Sequence, residues 1–281
     1  MAGSAANPLP PGAGPAPVQF TPVTIEPGAQ GDRGRTPMTG ATTGLIAGFG
    51  AYGLWGLFPL YFDALTPTGA WEILANRILW TLVLCGAILL VRKDFAWIVP
   101  LRHQPKLVAG VTVAALLIAT NWIVYVLAVT SGHTSDAALG YFLNPLVTVG
   151  LGVLVLGERL RPLQWAAVGV GVLAAGYLTL AGGRFPLTAL VLACSFALYG
   201  LVKKKVGDHL DALHGLTLET AVLSPIAGLV LVIVAVWGGG LDFGRHGAGH
   251  AALLVFAGVA TAVPLLLFAV AAQRIPRSPS A

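Results

Sequence analysis

The sequence predicts an all-α integral membrane protein, and three observations carry that expectation. Of its 281 residues 56% are hydrophobic and only 10% charged, with mean hydropathy +0.82, whereas a soluble chain carries about 25% charged residues. The apolar residues gather in eight runs, near 43–62, 73–91, 107–130, 136–156, 163–181, 186–202, 216–237 and 251–272. Each approaches the ~20 residues that cross a hydrocarbon core. None shows the strict alternation of a barrel strand, so helices, which satisfy their own backbone hydrogen bonds in lipid, are the remaining choice.

Residues 1–38 stand apart, with eight prolines and no apolar stretch long enough for a signal-peptide core. They read as a disordered cytoplasmic tail, which makes the first span an uncleaved signal anchor. In and before that span, Gly40, Gly44 and Gly48 form a small-residue stripe. It suits close helix approach within the chain better than dimerisation.

The second span holds the most deeply placed charge. Glu72 and Asn76 are i, i+4 neighbours, and Arg77 follows within the apolar run. Charge at membrane depth is expensive and marks functional candidates. Arg77 is expected to meet an anionic or polar substrate group, with Glu72 as its partner or as a proton carrier. A structural Glu–Arg pair or a snorkelling arginine is the plainer alternative. In the third span Asn121, Trp122 and Tyr125 place an amide and two amphipathic rings together, with Asn121 and Tyr125 on one face. Such a face can line a polar cavity, or simply bond and pack between helices. The fourth span is expected to be interrupted at Tyr141, Asn144 and Pro145, as transporter helices are beside a cavity, unless the proline only kinks it. Pro225 and Pro264 are placed similarly in spans seven and eight.

An internal repeat organises these spans. Phe49-Gly50-Ala51-Tyr52-Gly53-Leu54 returns 147 residues later as Phe196-Ala197-Leu198-Tyr199-Gly200-Leu201, and Glu72 returns at the same offset as Glu219. Five spans separate the copies, and an odd number of crossings inverts the second relative to the first. The expected division is a first five-helix repeat over 39–182 and an incomplete second repeat of three helices over 183–276. Residues 277–281 form an aberrant tail. Tyr199 and Glu219 join the candidate site through this repeat, Glu219 as one side of a two-sided gate; a solvated interfacial carboxylate is the alternative for Glu219.

The formal net charge of +5 is a topology signal. Counting alternate sides, Arg33, Arg35, Arg92, Lys93, Arg102, Lys106, Arg159, Arg161, Lys203, Lys204, Lys205, Arg274 and Arg277 share one side, against Arg184 and Arg245 on the other. By the positive-inside rule both termini are expected in the cytoplasm. Cys85 and Cys194 lie in apolar spans, which argues against a disulfide framework. His246 and His250 are spaced i, i+4, but in a Gly-rich loop without Cys or a carboxylate cluster, so no metal is expected. Ser–His–Asp, Walker and dinucleotide patterns are absent. The chain does not read as an enzyme, and no cofactor is expected.

The assembled stretches resemble the RarD family of EamA-type permeases, in the drug/metabolite transporter superfamily. They are WGLFPLY (55–61), EILANRILW (72–80), Asn121-Trp122, ALGYFLNPL (138–146) and GERL (157–160), followed by FALYGLVKK (196–204), Leu218-Glu219-Thr220 and VATAVP (259–264). The resemblance covers about 45–276 and implies a ten-helix inner-membrane transporter of two inverted five-helix halves. Two features depart from it. The family usually has His where this chain has Asn76, and the chain ends in Arg-Ser-Pro-Ser-Ala where the family continues into two more helices. The expected architecture is therefore an inverted five-plus-five helix repeat with about eight transmembrane helices, the last two of ten missing. The expected function is a multi-pass permease of the cytoplasmic membrane that moves a small organic solute by alternating access. The candidate site is Glu72, Asn76, Arg77, Asn121, Trp122, Tyr125, Tyr141, Asn144, Tyr199 and Glu219. Expected partners are that solute and membrane lipid, with homodimerisation open and no nucleic acid. The alternative is a non-transporting or non-functional truncated membrane scaffold or assembly partner.

Overall fold

The computed structural model describes residues 37–101, 103–157, 160–182, 186–206 and 210–274. Nearly all of them are helical: α1 (Pro37–Gly56), α2 (Phe58–Asp63), α3 (Ala70–Arg92), α4 (Ile98–Leu101), α5 (Pro105–Thr130), α6 (Thr134–Leu156), α7 (Pro162–Gly182), α8 (Leu187–Val206), α9 (Ala212–Trp237) and α10 (Ala248–Arg274). The eight long helices coincide with the eight apolar runs. Counting α1 and α2 as one span over Thr42–Asp63, seven spans among the described residues are long and apolar enough to cross a membrane. The fifth expected span is the 21-residue helix α7, which lies outside those seven. The tail expected over 1–38 falls outside the described residues except for its last two, which already belong to α1.

Pro145 does not interrupt its span. Helix α6 runs through it, as α9 runs through Pro225 and α10 through Pro264. A proline removes one backbone donor, and in a membrane helix local adjustment and neighbouring groups tolerate that loss. The Asn144 Oδ1 beside Pro145 accepts from the Thr148 hydroxyl at 3.3 Å. Helix α6 instead stops at Gly157, whose φ of 66° is the left-handed conformation that glycine adopts at helix ends. At the start of α9 the Asp211 carboxylate accepts from the His214 amide at 2.8 Å, supplying one of the donors that a helix start leaves unpaired.

Helix α3 is the centre of the assembly and packs against α9, α10 and α5, while α8 packs against α5 and α6. The α3–α9 pair is antiparallel. Leu74, Ala75 and Ile78, early in α3, meet Leu223, Ala227 and Val230 late in α9. Cys85 and Leu89, late in α3, meet Leu213 and Leu216 early in α9. Helix α10 crosses α3 so closely that a Cβ on Gly258 would lie 2.4 Å from the Trp80 carbonyl carbon. Helix α1 approaches α10 through the last glycine of its stripe, Gly48, where a Cβ would sit 3.6 Å from Ala271. Away from these contacts the helices are apolar all round, and Val91, Phe142, Leu154 and Leu163 are each more than four-fifths exposed. Such surfaces suit lipid rather than water.

Candidate functional site

Helices α1, α2, α3, α5, α6, α8 and α10 enclose a cavity of about 500 Å³. Its one charged lining side chain is Arg77, on α3, only 3% exposed. The guanidinium is fixed from two directions. Nε donates to the Thr261 hydroxyl of α10 at 3.1 Å, and Thr261 itself donates to the Ala257 carbonyl at 2.8 Å, which orients its lone pairs toward Arg77. The Arg77 Cζ lies 4.9 Å from the Trp122 ring centre and 5.4 Å from those of Phe58 and Phe62. Stacked rings offer a desolvated cation a favourable quadrupole. Arg77 Nη1 is buried with no hydrogen-bond partner.

The expected Glu72–Arg77 partnership is not formed. Glu72 is 1% exposed, and its two carboxylate oxygens accept from the backbone amides of Asp242 and Phe243, both at 2.9 Å. Its role here is to clamp the loop between α9 and α10. Asn76 also turns away from Arg77: its amide donates to the Glu72 carbonyl and its oxygen accepts from the Trp80 indole. Glu219, 3% exposed, pairs with Lys203 Nζ at 2.8 Å and accepts from the Tyr199 hydroxyl at 3.3 Å. These four candidates lie outside the cavity lining.

The other six, Arg77, Asn121, Trp122, Tyr125, Tyr141 and Asn144, line it. Asn121 is 1% exposed and its amide donates to the Leu192 carbonyl and the Ser195 hydroxyl of α8, which fixes α5 against α8. Its oxygen accepts from the Tyr141 hydroxyl at 3.4 Å. Asn121 thus places Tyr141 in the wall rather than presenting free donors to the interior. Rings of Phe62, Tyr125, Tyr141, Phe196 and Tyr199 follow one another at centroid distances of 6.0, 5.5, 6.4 and 6.1 Å. The series joins the surroundings of Arg77 to Glu219 through packed aromatic contacts.

Several lining residues are not among the expected site residues. Tyr52, Trp55 and Phe268 form a triangle of edge and tilted ring contacts between α1 and α10. Phe58, Phe196, Thr134 and Thr261 complete the wall. Thr261 had a usable clue: it lies in the VATAVP stretch (259–264) of the family resemblance. His250 is a helix residue, in the first turn of α10, and not a loop residue. Its Nε2 lies 3.1 Å from both the Leu65 carbonyl oxygen and the Thr68 hydroxyl. His246 bonds the Asp242 carboxylate at 2.9 Å. The two histidines therefore brace the α9–α10 loop and the α2–α3 connection.

Helical membrane bundles with a site between their helices are the form of many secondary transporters. Residues 42–180 match the EamA-like transporter family. Protein RarD of Streptomyces exfoliatus is 48% identical over 237 residues, covering 84% of this chain and 74% of the relative. Protein RarD of Escherichia coli is 36% identical over 232 residues, covering 83% of this chain and 77% of the relative. A Bacillus subtilis protein named uncharacterized transporter YojE is 44% identical over 230 residues, covering 79% and 74%. No solved structure matches the chain. The chain belongs to the RarD family of EamA-like transporters.

Proposed function

We propose that this protein is a permease that carries a small organic solute across the cytoplasmic membrane by alternating access of its two repeats around the cavity. The observation that carries this reading is the cavity itself, about 500 Å³, with a buried arginine and a largely aromatic wall at membrane depth. That volume lies in the range of small-molecule sites. Arg77 and the rings of Trp122, Tyr125 and Tyr141 contact the solute, with Asn144 at the α6 wall. Asn121 acts through Tyr141. Glu72 and Glu219 lie toward opposite ends of the antiparallel α3–α9 pair and hold different partners there. Alternating access needs one closure on each side of the site, and these two clamps supply candidates for both.

The amino terminus and the basic loops are cytoplasmic in this reading, following the distribution of Lys and Arg. Reconstitution into proteoliposomes with a panel of radiolabelled solutes tests it. Flux above protein-free liposomes, reduced by Arg77→Ala and by Trp122→Ala in protein that melts normally, is expected. Flux unchanged by both substitutions removes this cavity from the transport path.

A further inference from the structure

We infer that the cavity takes an aromatic monocarboxylate without an ammonium group, a deepening that rests on the permease reading above. Arg77 brings a positive charge to membrane depth, and among the described residues no carboxylate pairs with it. Glu72, five residues before Arg77, is committed to two backbone amides, and Glu219, its counterpart at the 147-residue offset, to Lys203. An uncompensated charge at that depth is costly, and an anionic solute supplies the compensation. Thr261 occupies Nε, so the edge carrying the unpartnered Nη1 is left for a ligand. A guanidinium edge suits the planar, two-oxygen geometry of a carboxylate.

The site also limits the charge to one. At the 147-residue offset of the repeat, Arg77 corresponds to Ser224, whose hydroxyl donates to the Ala221 carbonyl at 2.8 Å. That position therefore adds no cation, Arg77 is the one charge in the lining, and a dianion would be left half compensated. No lining residue is acidic, so nothing would pair with the ammonium of an amino acid. The walls are rings, chiefly Trp55, Phe58, Trp122, Tyr125, Tyr141 and Phe196. They offer stacking and edge contacts to a flat apolar body.

Four probes of one shape separate these terms: 3-phenylpropionate, phenylalanine, 3-phenylpropanol and 3-phenylpropylamine. They are titrated calorimetrically into the 281-residue chain purified in detergent. The acid is expected to bind roughly tenfold or more tighter than each of the others. Arg77→Gln is expected to erase that preference, and Arg77→Lys to keep part of it, because charge remains while the planar edge is lost. Melting curves accompany both variants. In the wild-type chain alone, equal or tighter binding of the alcohol, the amine or phenylalanine overturns the inference, as does failure of all four to bind. Proteoliposome flux of the same probes keeps the two readings apart. Transport of the alcohol or the amine in preference to the acid sinks the anion inference and leaves the permease. Tight, Arg77-dependent binding of the acid without flux of any probe does the reverse.

Discussion

Glu72 and Glu219 stand 147 residues apart, at the offset of the sequence repeat, are both almost fully buried, and are held by different chemistry. Glu72 grips two backbone amides of the α9–α10 loop, whereas Glu219 grips the Lys203 ammonium and the Tyr199 hydroxyl. Because α3 and α9 run antiparallel, the two carboxylates serve opposite ends of the same helix pair. The same residue type has kept its register and changed its partner.

The Lys203 end is asymmetric in what its loss costs. Lys203→Ala strands a buried carboxylate with Tyr199 alone and is expected to destabilise by about 3 kcal/mol. Glu219→Gln frees a lysine that is 32% exposed and able to reach water, so a loss of about 1 kcal/mol is expected. Thermal melting in detergent checks the order; a larger loss for Glu219→Gln would contradict it.

Removing the carboxylate at the other end should loosen a loop rather than a helix contact. Glu72→Ala leaves the amides of Asp242 and Phe243 without their acceptors. A cost of about 3 kcal/mol follows for two charge-assisted bonds. Hydrogen exchange at these two amides is expected to speed up roughly 100-fold, with protection elsewhere in α9 retained. Glu72→Gln, which keeps one acceptor oxygen, should fall between.

The α3–α10 crossing depends on the absence of a side chain at residue 258. Gly258→Ala would place Cβ 2.4 Å from a backbone atom, which has no rotamer by which to yield. Overpacking of about 3 kcal/mol is expected. Gly228→Ala, also helical but with nothing within 4 Å of the added carbon, should instead gain up to about 1 kcal/mol from helix propensity. Paired melting curves compare the two.

Filling the cavity should abolish binding without unfolding the protein. Ala138 lines it from α6 and its side chain is exposed there. Ala138→Phe is expected to leave the melting temperature within about 2 °C and to reduce solute flux at least tenfold. Retained flux in the variant would place the path elsewhere.

Reporter fusions test orientation. Fusions near Gly132 and Gly239 are expected to read extracytoplasmic, and fusions near Lys204 cytoplasmic. The reverse at any of the three would overturn the assigned crossing pattern.

The long helices were legible because a membrane span is a composition and a length, and both are written in the chain. The short helices α2 and α4 were not, since Phe58–Asp63 and Ile98–Leu101 are too brief to show a period. Polar residues at depth pointed to Arg77, Asn121, Tyr141 and Asn144, because each is an exception in an apolar run. The lining rings Tyr52, Trp55, Phe196 and Phe268 were not assigned to the site, for the opposite reason. In a helix apolar on every side, no amphipathic stripe distinguishes the face that turns inward. Glu72 was misassigned to Arg77 because its true partners are main-chain amides far along the chain, and an amide leaves no mark in the sequence.

The contrast between the two glutamate clamps makes the ends of the molecule unequal toward dissolved ions. Dissolved ions screen exposed charges well and partly buried contact pairs much less. The Lys203 head is partly in reach of those ions, and the backbone amides held by Glu72 carry no net charge for them to compete with. Salt therefore reaches the exposed Lys203 side of one clamp, weakly because the pair is in contact at 2.8 Å, and finds no cation to compete for at the other. The electrolyte on the Lys203 side acts as a thumb on the balance between the two ends.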